Sequence, residues 1–293
     1  MFRQYFHVSA SRANSDRARN NSDPQSAAMT KRALTHLFLS PHLDDVVYSC
    51  GGMIHQQIQT GDSVVVVTMC AGDPPCNSVS PFARAIHDLC RSARPASPAD
   101  MVAARRREDL RALESLGAQA VHLDIPDCIY RVHPADGWPL YTTATALLGN
   151  IHPSEPALIR RVAAQLASLR RSVGRHHFYV PLAIGSHVDH QVGRRAAEVT
   201  GRIHAYYEDF PYVADAPDGP AERPACWPHS RPLRPETICL APANLKARWE
   251  AMGCYASQVT SFWPNRRAMQ KAVKQFTERT GGGASAERLW RVA

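Results

Sequence analysis

The chain has 293 residues, 44% hydrophobic and 20% charged, a balance that excludes wholesale disorder and a fibrous protein and leaves length for a substantial core. Basic residues exceed acidic ones by 34 − 26 = +8, but the excess is mostly Arg spread along helical segments, which argues against a nucleic-acid surface. No run of about eighteen apolar residues occurs, so no transmembrane helix and no stable membrane insertion are expected.

Residues 1–31 lack apolar periodicity and the apolar centre of a signal peptide. They read as a disordered tail ahead of a single domain at residues 32–293. The first strand is expected over residues 33–40. A helix over 46–59 follows, closed by Thr60-Gly61-Asp62. Residues 63–71 (SVVVVTMCA) form the clearest strand, a β-branched run too apolar for an edge. Residues 73–98 are rich in Pro and Ser and read as a long loop with a short helix near 82–89.

From Ala99 the pattern is helical, with Met101, Ala104, Leu110, Leu113 and Leu116 apolar and Gly117 as the stop. A strand is expected over 120–123, a helix over 153–171, a strand over 177–184, a helix over 191–200 and a strand over 203–207. Residues 215–235 read as a Pro-rich surface insertion. Helices are expected over 244–252 and 266–279, and Gly281-Gly282-Gly283 reads as a flexible hinge. Strands alternating with helices predict an α/β domain with a mostly parallel sheet, whose ligands collect at the carboxyl ends of the strands.

Eight cysteines (Cys50, Cys70, Cys76, Cys90, Cys128, Cys226, Cys239 and Cys254) are scattered, with no C-x-x-C pair. A chain of this length needs no disulfide staples, so reduced thiols in a cytoplasmic protein are expected.

Two polar clusters each fall directly after an expected strand and before a helix: His42-x-Asp44-Asp45 and His187-x-Asp189-His190. A catalytic zinc takes three protein ligands from His and carboxylate and keeps one position open, and two strand-end loops of this composition can supply the set. A remaining carboxylate would serve as general base. A remaining His would steady an oxyanion or protonate a leaving amine. The competing reading is that Asp44 and Asp45 cap a helix N-terminus and that the histidines are loop residues. Two dense clusters at equivalent strand ends favour a metal site.

Pro41-His42-Leu43-Asp44-Asp45, Gly51-Gly52 and Gly185-Ser186-His187-Val188-Asp189-His190 together resemble the PIG-L/LmbE-like zinc N-deacetylases, with the signature A/S-H-P-D-D-E plus H-x-D-H. Arg105-x-x-Glu108 with Ala112 and Leu116-Gly117 is similar to the family's R-x-x-E…A…L-G helix. Tyr207–Tyr212 and Tyr255–Gln258 resemble a subgroup that includes deacetylases of glycopeptide-antibiotic sugars.

The resemblance implies a Rossmann-like sheet with helices on both faces. It implies zinc held by His42, Asp45 and His190, with Fe²⁺ or another divalent ion as alternative occupants. It assigns Asp44 to the general base, His187 to oxyanion stabilisation or amine protonation, and Asp189 to the carboxylate that orients the His187 imidazole. It assigns Arg105 and Asp127 to substrate binding. Leu43 and Val46 stand where the family has Pro and Glu, and neither is a ligand position.

The implied activity is hydrolysis of the acetamide of an N-acetylglucosamine-type amino sugar or its conjugate, a small-molecule partner. A non-sugar amide and a catalytically silent binding module are the alternatives, and a homo-oligomer is left open. Only one of Arg105, Arg106 and Arg107 is expected to face the site. Glu208 and Asp209 read equally as substrate ligands or as a solvent-exposed turn. Packing is the expected fate of Tyr206, Tyr207, Phe210 and Tyr212. His55, His122 and His176-His177 are assigned no role.

Overall fold

The structure, a computed structural model, describes residues 34–75, 79–90, 97–215 and 232–293. In chain order the elements are β1 (Thr35–Ser40), α1 (Asp45–Gln59), β2 (Ser63–Thr68), α2 (Pro81–Leu89), α3 (Pro98–Leu116), β3 (Gln119–His122), α4 (Ala144–Leu147), α5 (Pro156–Val173), β4 (His176–Pro181), α6 (Val188–Val199) and β5 (Ala205–Tyr207). They continue with β6 (Leu233–Cys239), α7 (Pro242–Met252), α8 (Ala256–Phe262), α9 (Arg266–Thr280) and β7 (Ala286–Val292). Short 3-10 turns lie at Cys128–Tyr130 and Tyr212–Asp215. The tail expected at residues 1–31 lies outside the described residues, as does most of the insertion expected at 215–235.

Local chemistry sets most boundaries. Pro98, Pro156 and Pro242 each open a helix, where a missing N–H costs nothing. The Ser80, Ser97, Thr143 and Asn265 side chains accept from the first turns they precede.

Among the described residues seven strands form one sheet in the order β3-β2-β1-β4-β5-β7-β6. The first five are parallel, and β7 and β6 are antiparallel additions. Leu37–Leu39 and Val64–Val67 are buried on both faces of their strands, which is why these runs show no alternation. Chain order runs outward from β1 to β3 on one side and from β4 to β5 on the other. Right-handed crossovers therefore send helices to opposite faces. On this layout α1, α3 and α7 pack against one another, and α5 packs against α6. The order reverses between β1 and β4, and that switch point is where an open α/β sheet makes a crevice.

Two sequence expectations are corrected. The insertion expected to reach Pro235 ends sooner, because β6 begins at Leu233 and pairs along its length with β7. Pro235 is accommodated because β6 is an edge strand. Gly281-Gly282-Gly283 is no open hinge: Gly281 and Ala284 bridge, and the Gly283 N–H bonds the Glu278 carbonyl at 2.8 Å, turning α9 into β7.

Gly51-Gly52 is explained by close approach. A Cβ on Gly52 would lie 2.6 Å from Leu240 Cδ1, so the pair lets α7 and its preceding loop press onto α1.

Candidate active site

Both polar clusters sit at the switch point. Pro41–Asp45 leaves the end of β1 and enters α1, and Gly185–His190 leaves β4 and enters α6. Gly185 has φ +85°, and a Cβ there would lie 2.8 Å from the Tyr212 ring; glycine alone suits both constraints. The Tyr212 ring in turn stands edge-on to His190, 5.7 Å between centroids.

Three donors converge. Asp45 Oδ2 lies 3.1 Å from His42 Nδ1 and 3.3 Å from His190 Nε2, and it also accepts the His42 backbone N–H at 2.7 Å. The far nitrogens of both rings are held by carboxylates. His42 Nε2 meets Asp189 Oδ2 at 3.0 Å, and His190 Nδ1 meets Asp209 Oδ1 at 2.7 Å. Those bonds fix the tautomer in which the inward nitrogens carry lone pairs, the arrangement of carboxylate-backed metal ligands.

His190 Nε2 is buried and makes no hydrogen bond, an orphan that a cation would satisfy. The carboxylates around His42 point the same way. Burial opposes charge on that imidazole, yet Asp127, Asp189 and Asp45 raise its pKa well above the histidine range. The donor set fits a divalent ion of zinc type. His42, His187 and His190 also offer nitrogens within 4.8 Å of one another, an overlapping set that shares two members.

The capping alternative fails for Asp44. Its side chain makes no capping bond to α1 although it occupies the cap position. It is buried and faces Arg105, with Oδ1 3.7 Å from Nη2. Burial first, then the neighbouring Asp45, pushes its carboxyl up to about 8, against the pull of Arg105 and His42. Capping does describe His187: its Nδ1 accepts the Asp189 N–H at 3.2 Å. Burial, with His42 and His190 close by, holds its pKa well below the usual value, so the ring is neutral with its proton on Nε2.

Arg105 and Asp127 reach the same place. Asp127 Oδ2 lies 3.8 Å from Arg105 Nη1 and 3.7 Å from His42 Nε2. Of the arginine run, Arg106 bonds the Ala71 carbonyl and pairs with Asp73, and Arg107 is exposed. Successive residues on a helix point about 100° apart, so the three could not share a target.

A family model described as GlcNAc-PI de-N-acetylase (PIG-L) matches residues 37–200, a span that includes both clusters. This chain belongs to the PIG-L family. It is similar to a 2'-N-acetylparomamine deacetylase of Niallia circulans, 30% identical over 62% of this chain and 68% of that protein. A 2'-N-acetylparomamine deacetylase of Streptomyces fradiae is 27% identical over 88% of this chain and 89% of the relative. The crystal structure of a teicoplanin deacetylase in its zinc-inhibited form superimposes with a TM-score of 0.73 at 28% identity, covering 88% of this chain and 98% of that one. The chain is a hydrolytic N-deacetylase of the PIG-L fold.

Within the family pattern, Leu43 and Val46 are both buried, and Val46 belongs to the main core. These positions serve packing here. The Asp189 carboxylate corrects an expectation: it bonds the His42 ring rather than the His187 ring, which receives only the Asp189 backbone N–H. Asp189 is itself clamped by Arg131 Nη1 at 2.5 Å and the Cys128 N–H at 3.0 Å. Although burial alone would raise its pKa, Arg131 and His42 hold the carboxyl well below the usual range.

Arg131 is absent from the sequence reading, which leaves Asp209 and Glu208 as substrate ligands or an exposed turn. Arg131 is buried and forks onto Glu155, with contacts of 2.6 and 3.1 Å. Asp209 is buried and takes the Ile184 N–H at 2.9 Å besides backing His190. Glu208 is no solvent-exposed turn either: Arg288 and Trp290 Nε1 donate to it at 3.1 and 3.0 Å. Their acidic residue types were visible, but nothing local distinguished a buried partner from an exposed turn. Tyr206, Tyr207 and Phe210 pack in the core as expected. Ser257 bonds Glu108 and Tyr255 bonds Asp109, so the Tyr255–Gln258 segment is anchored to α3.

Proposed function

We propose that this enzyme removes the acetyl group from the amide nitrogen of an N-acetylglucosamine-type amino sugar or its conjugate. In this reading zinc is held by His42, Asp45 and His190. The observation that carries it is the convergence of His42 Nδ1 and His190 Nε2 on Asp45 Oδ2, with the uncapped Asp44 carboxyl beside them. The relatives named for 2'-N-acetylparomamine and teicoplanin support an amino-sugar substrate.

When bound, the ion polarises the amide carbonyl and acidifies water toward a pKa of about 7. The protein's own groups supply the rest. Asp44 accepts a proton from the attacking water. The same carboxyl, once protonated, returns that proton to the departing nitrogen. His187 is neutral and donates from Nε2–H to the developing oxyanion. Asp189 holds His42 in one tautomer, and Asp209 does the same for His190. Arg105 and Asp127 take sugar hydroxyls. Water adds to the carbonyl carbon, the C–N bond breaks, and the products are a free amine and acetate.

We assign the enzyme to the cytoplasm. Cys50, Cys70, Cys90, Cys128, Cys239 and Cys254 are free thiols, and among the described residues no helix is long and apolar enough to cross a membrane. The test is metal content of the purified protein together with acetate release from N-acetylglucosamine and its conjugates under zinc and iron(II). About one ion per chain, lost in His190→Ala, with acetate release is the expected result. Protein that holds no ion under metal-replete conditions and releases no acetate would sink the reading.

A further inference from the structure

We propose that Ser40 is a positioning residue for the reaction: it caps α1 in place of Asp44 and so leaves the Asp44 carboxyl free to serve as the base. This deepens, and rests on, the deacetylase reading above.

Asp44 stands at the cap position of α1, where an aspartate side chain ordinarily accepts an N–H from the second or third residue of the helix. It accepts neither. Its backbone serves the helix, because its carbonyl takes the Tyr48 N–H at 2.9 Å, while its carboxyl turns to Arg105, 3.7 Å away. Asp45, the first helical residue, turns away as well. Its Oδ2 takes the His42 N–H at 2.7 Å and faces the His42 and His190 rings. Both acidic side chains at the helix entrance are thus committed to the site, and the N–H groups of the first turn need another acceptor.

Ser40 supplies one from the end of β1. Its Oγ accepts the N–H of Val46, the second helical residue, at 3.1 Å and donates to the His42 carbonyl at 2.7 Å. Ser40 and Val46 are both buried, out of reach of bulk water. One hydroxyl therefore ties together the two ends of the loop that carries His42, Asp44 and Asp45.

The backbone beneath the loop is pinned independently of that hydroxyl. The Ser40 and Pro41 carbonyls take the Met69 and Cys70 N–H groups, each at 2.8 Å. Ser40→Ala thus removes the cap and keeps the anchorage to β2. The Val46 N–H is then left buried without its acceptor, which is costly, and ordinary cap geometry offers it the Asp44 carboxyl. A carboxyl drawn into the cap is lost to the attacking water.

The experiment joins steady-state kinetics to a double-mutant cycle in thermal unfolding, both on metal-loaded enzyme at one zinc concentration. The substrate is whichever of N-acetylglucosamine and its conjugates releases acetate fastest. In Ser40→Ala, kcat should fall about 10- to 100-fold while KM and the stoichiometry of bound metal hold. Ser40→Thr keeps the hydroxyl and should keep most of kcat. In the cycle, Asp44→Ala should lower Tm by about 2–4 °C more in the Ser40→Ala background than in wild type, because only there does the carboxyl cap the helix.

A Ser40→Ala enzyme with wild-type kcat overturns the proposal. Equal Tm shifts from Asp44→Ala in the two backgrounds also overturn it, by making the kcat loss a distortion of the loop rather than capture of the base. A Ser40→Thr enzyme with wild-type Tm that is as slow as Ser40→Ala does the same. Absence of acetate from every substrate overturns the deacetylase reading and the catalytic role of Ser40 with it. The unfolding cycle needs no turnover, so it tells that failure apart from a failure of the cap exchange.

Discussion

Asp209 receives the Nδ1–H of His190 at 2.7 Å from nineteen residues further along the chain. That bond turns Nε2 inward toward Asp45. Removing it should loosen the metal without touching a ligand. Asp209→Ala is expected to lower zinc affinity about 10- to 100-fold, read by competition with a chromophoric chelator. Asp209→Asn, which still offers an acceptor to Ile184, separates that effect from loss of loop structure. Unchanged affinity in both variants would show that His190 needs no carboxylate behind it.

The Asp44 side chain makes no bond to α1, whose Tyr48 N–H is taken by the Asp44 backbone carbonyl, so the chemistry of the carboxyl is separable from folding. Asp44→Asn should bind metal at the wild-type stoichiometry while kcat falls by about 10²- to 10⁴-fold. An Asp44→Asn enzyme that turns over at the normal rate would remove the residue from the mechanism.

Arg131 is the cation for two buried carboxylates, Asp189 and Glu155. Arg131→Met leaves both without it, and should cost about 3–5 kcal/mol in urea unfolding. Lys246 pairs with Glu250 on an open helix face, both more than half exposed. Lys246→Ala should therefore change stability by less than about 0.5 kcal/mol. Comparable losses in the two variants would contradict the distinction.

His204 predicts an acid limb of stability. Its ring stacks on His177 at 3.5 Å between centroids, and Arg291 Nη1 lies 2.8 Å from Nε2. Burial first, then Arg291, His177, His36 and Arg202, lowers its pKa to about 3. A folded-state pKa below the unfolded value of about 6.5 means that the contribution is complete above that pH. It is lost as pH falls from about 6.5 toward 3. His177, shifted downward as well, adds to the same limb. Thermal midpoints at pH 7.5 and pH 5 should converge in His204→Gln relative to wild type. An equal drop in both proteins would assign the acid limb to other groups.

Elements whose stabilisation is local were legible in the sequence. The Val64–Val67 run, the helix closed by Gly117 and the polar loops after β1 and β4 carry their signals within a few residues. The last two strands were not legible. β6 includes Pro235 and four exposed positions, and β7 follows three consecutive glycines; their pairing with each other, and of β7 with β5, makes them strands. Such pairing depends on what lies alongside, so propensity carries little of it.

The same division runs through the site. The sequence by itself placed His42, Asp44, Asp45, His187, Asp189 and His190 directly after two expected strands, because short apolar runs and helix-entry signals are short-range properties. Tertiary structure alone decided that Asp189 backs His42, that Asp209 backs His190 and that Arg131 neutralises Asp189. It also decided that Arg105, rather than Arg106 or Arg107, meets Asp44 and Asp127. A buried charge is tolerable only beside its partner, and which groups become neighbours is set by the packing of elements distant in sequence.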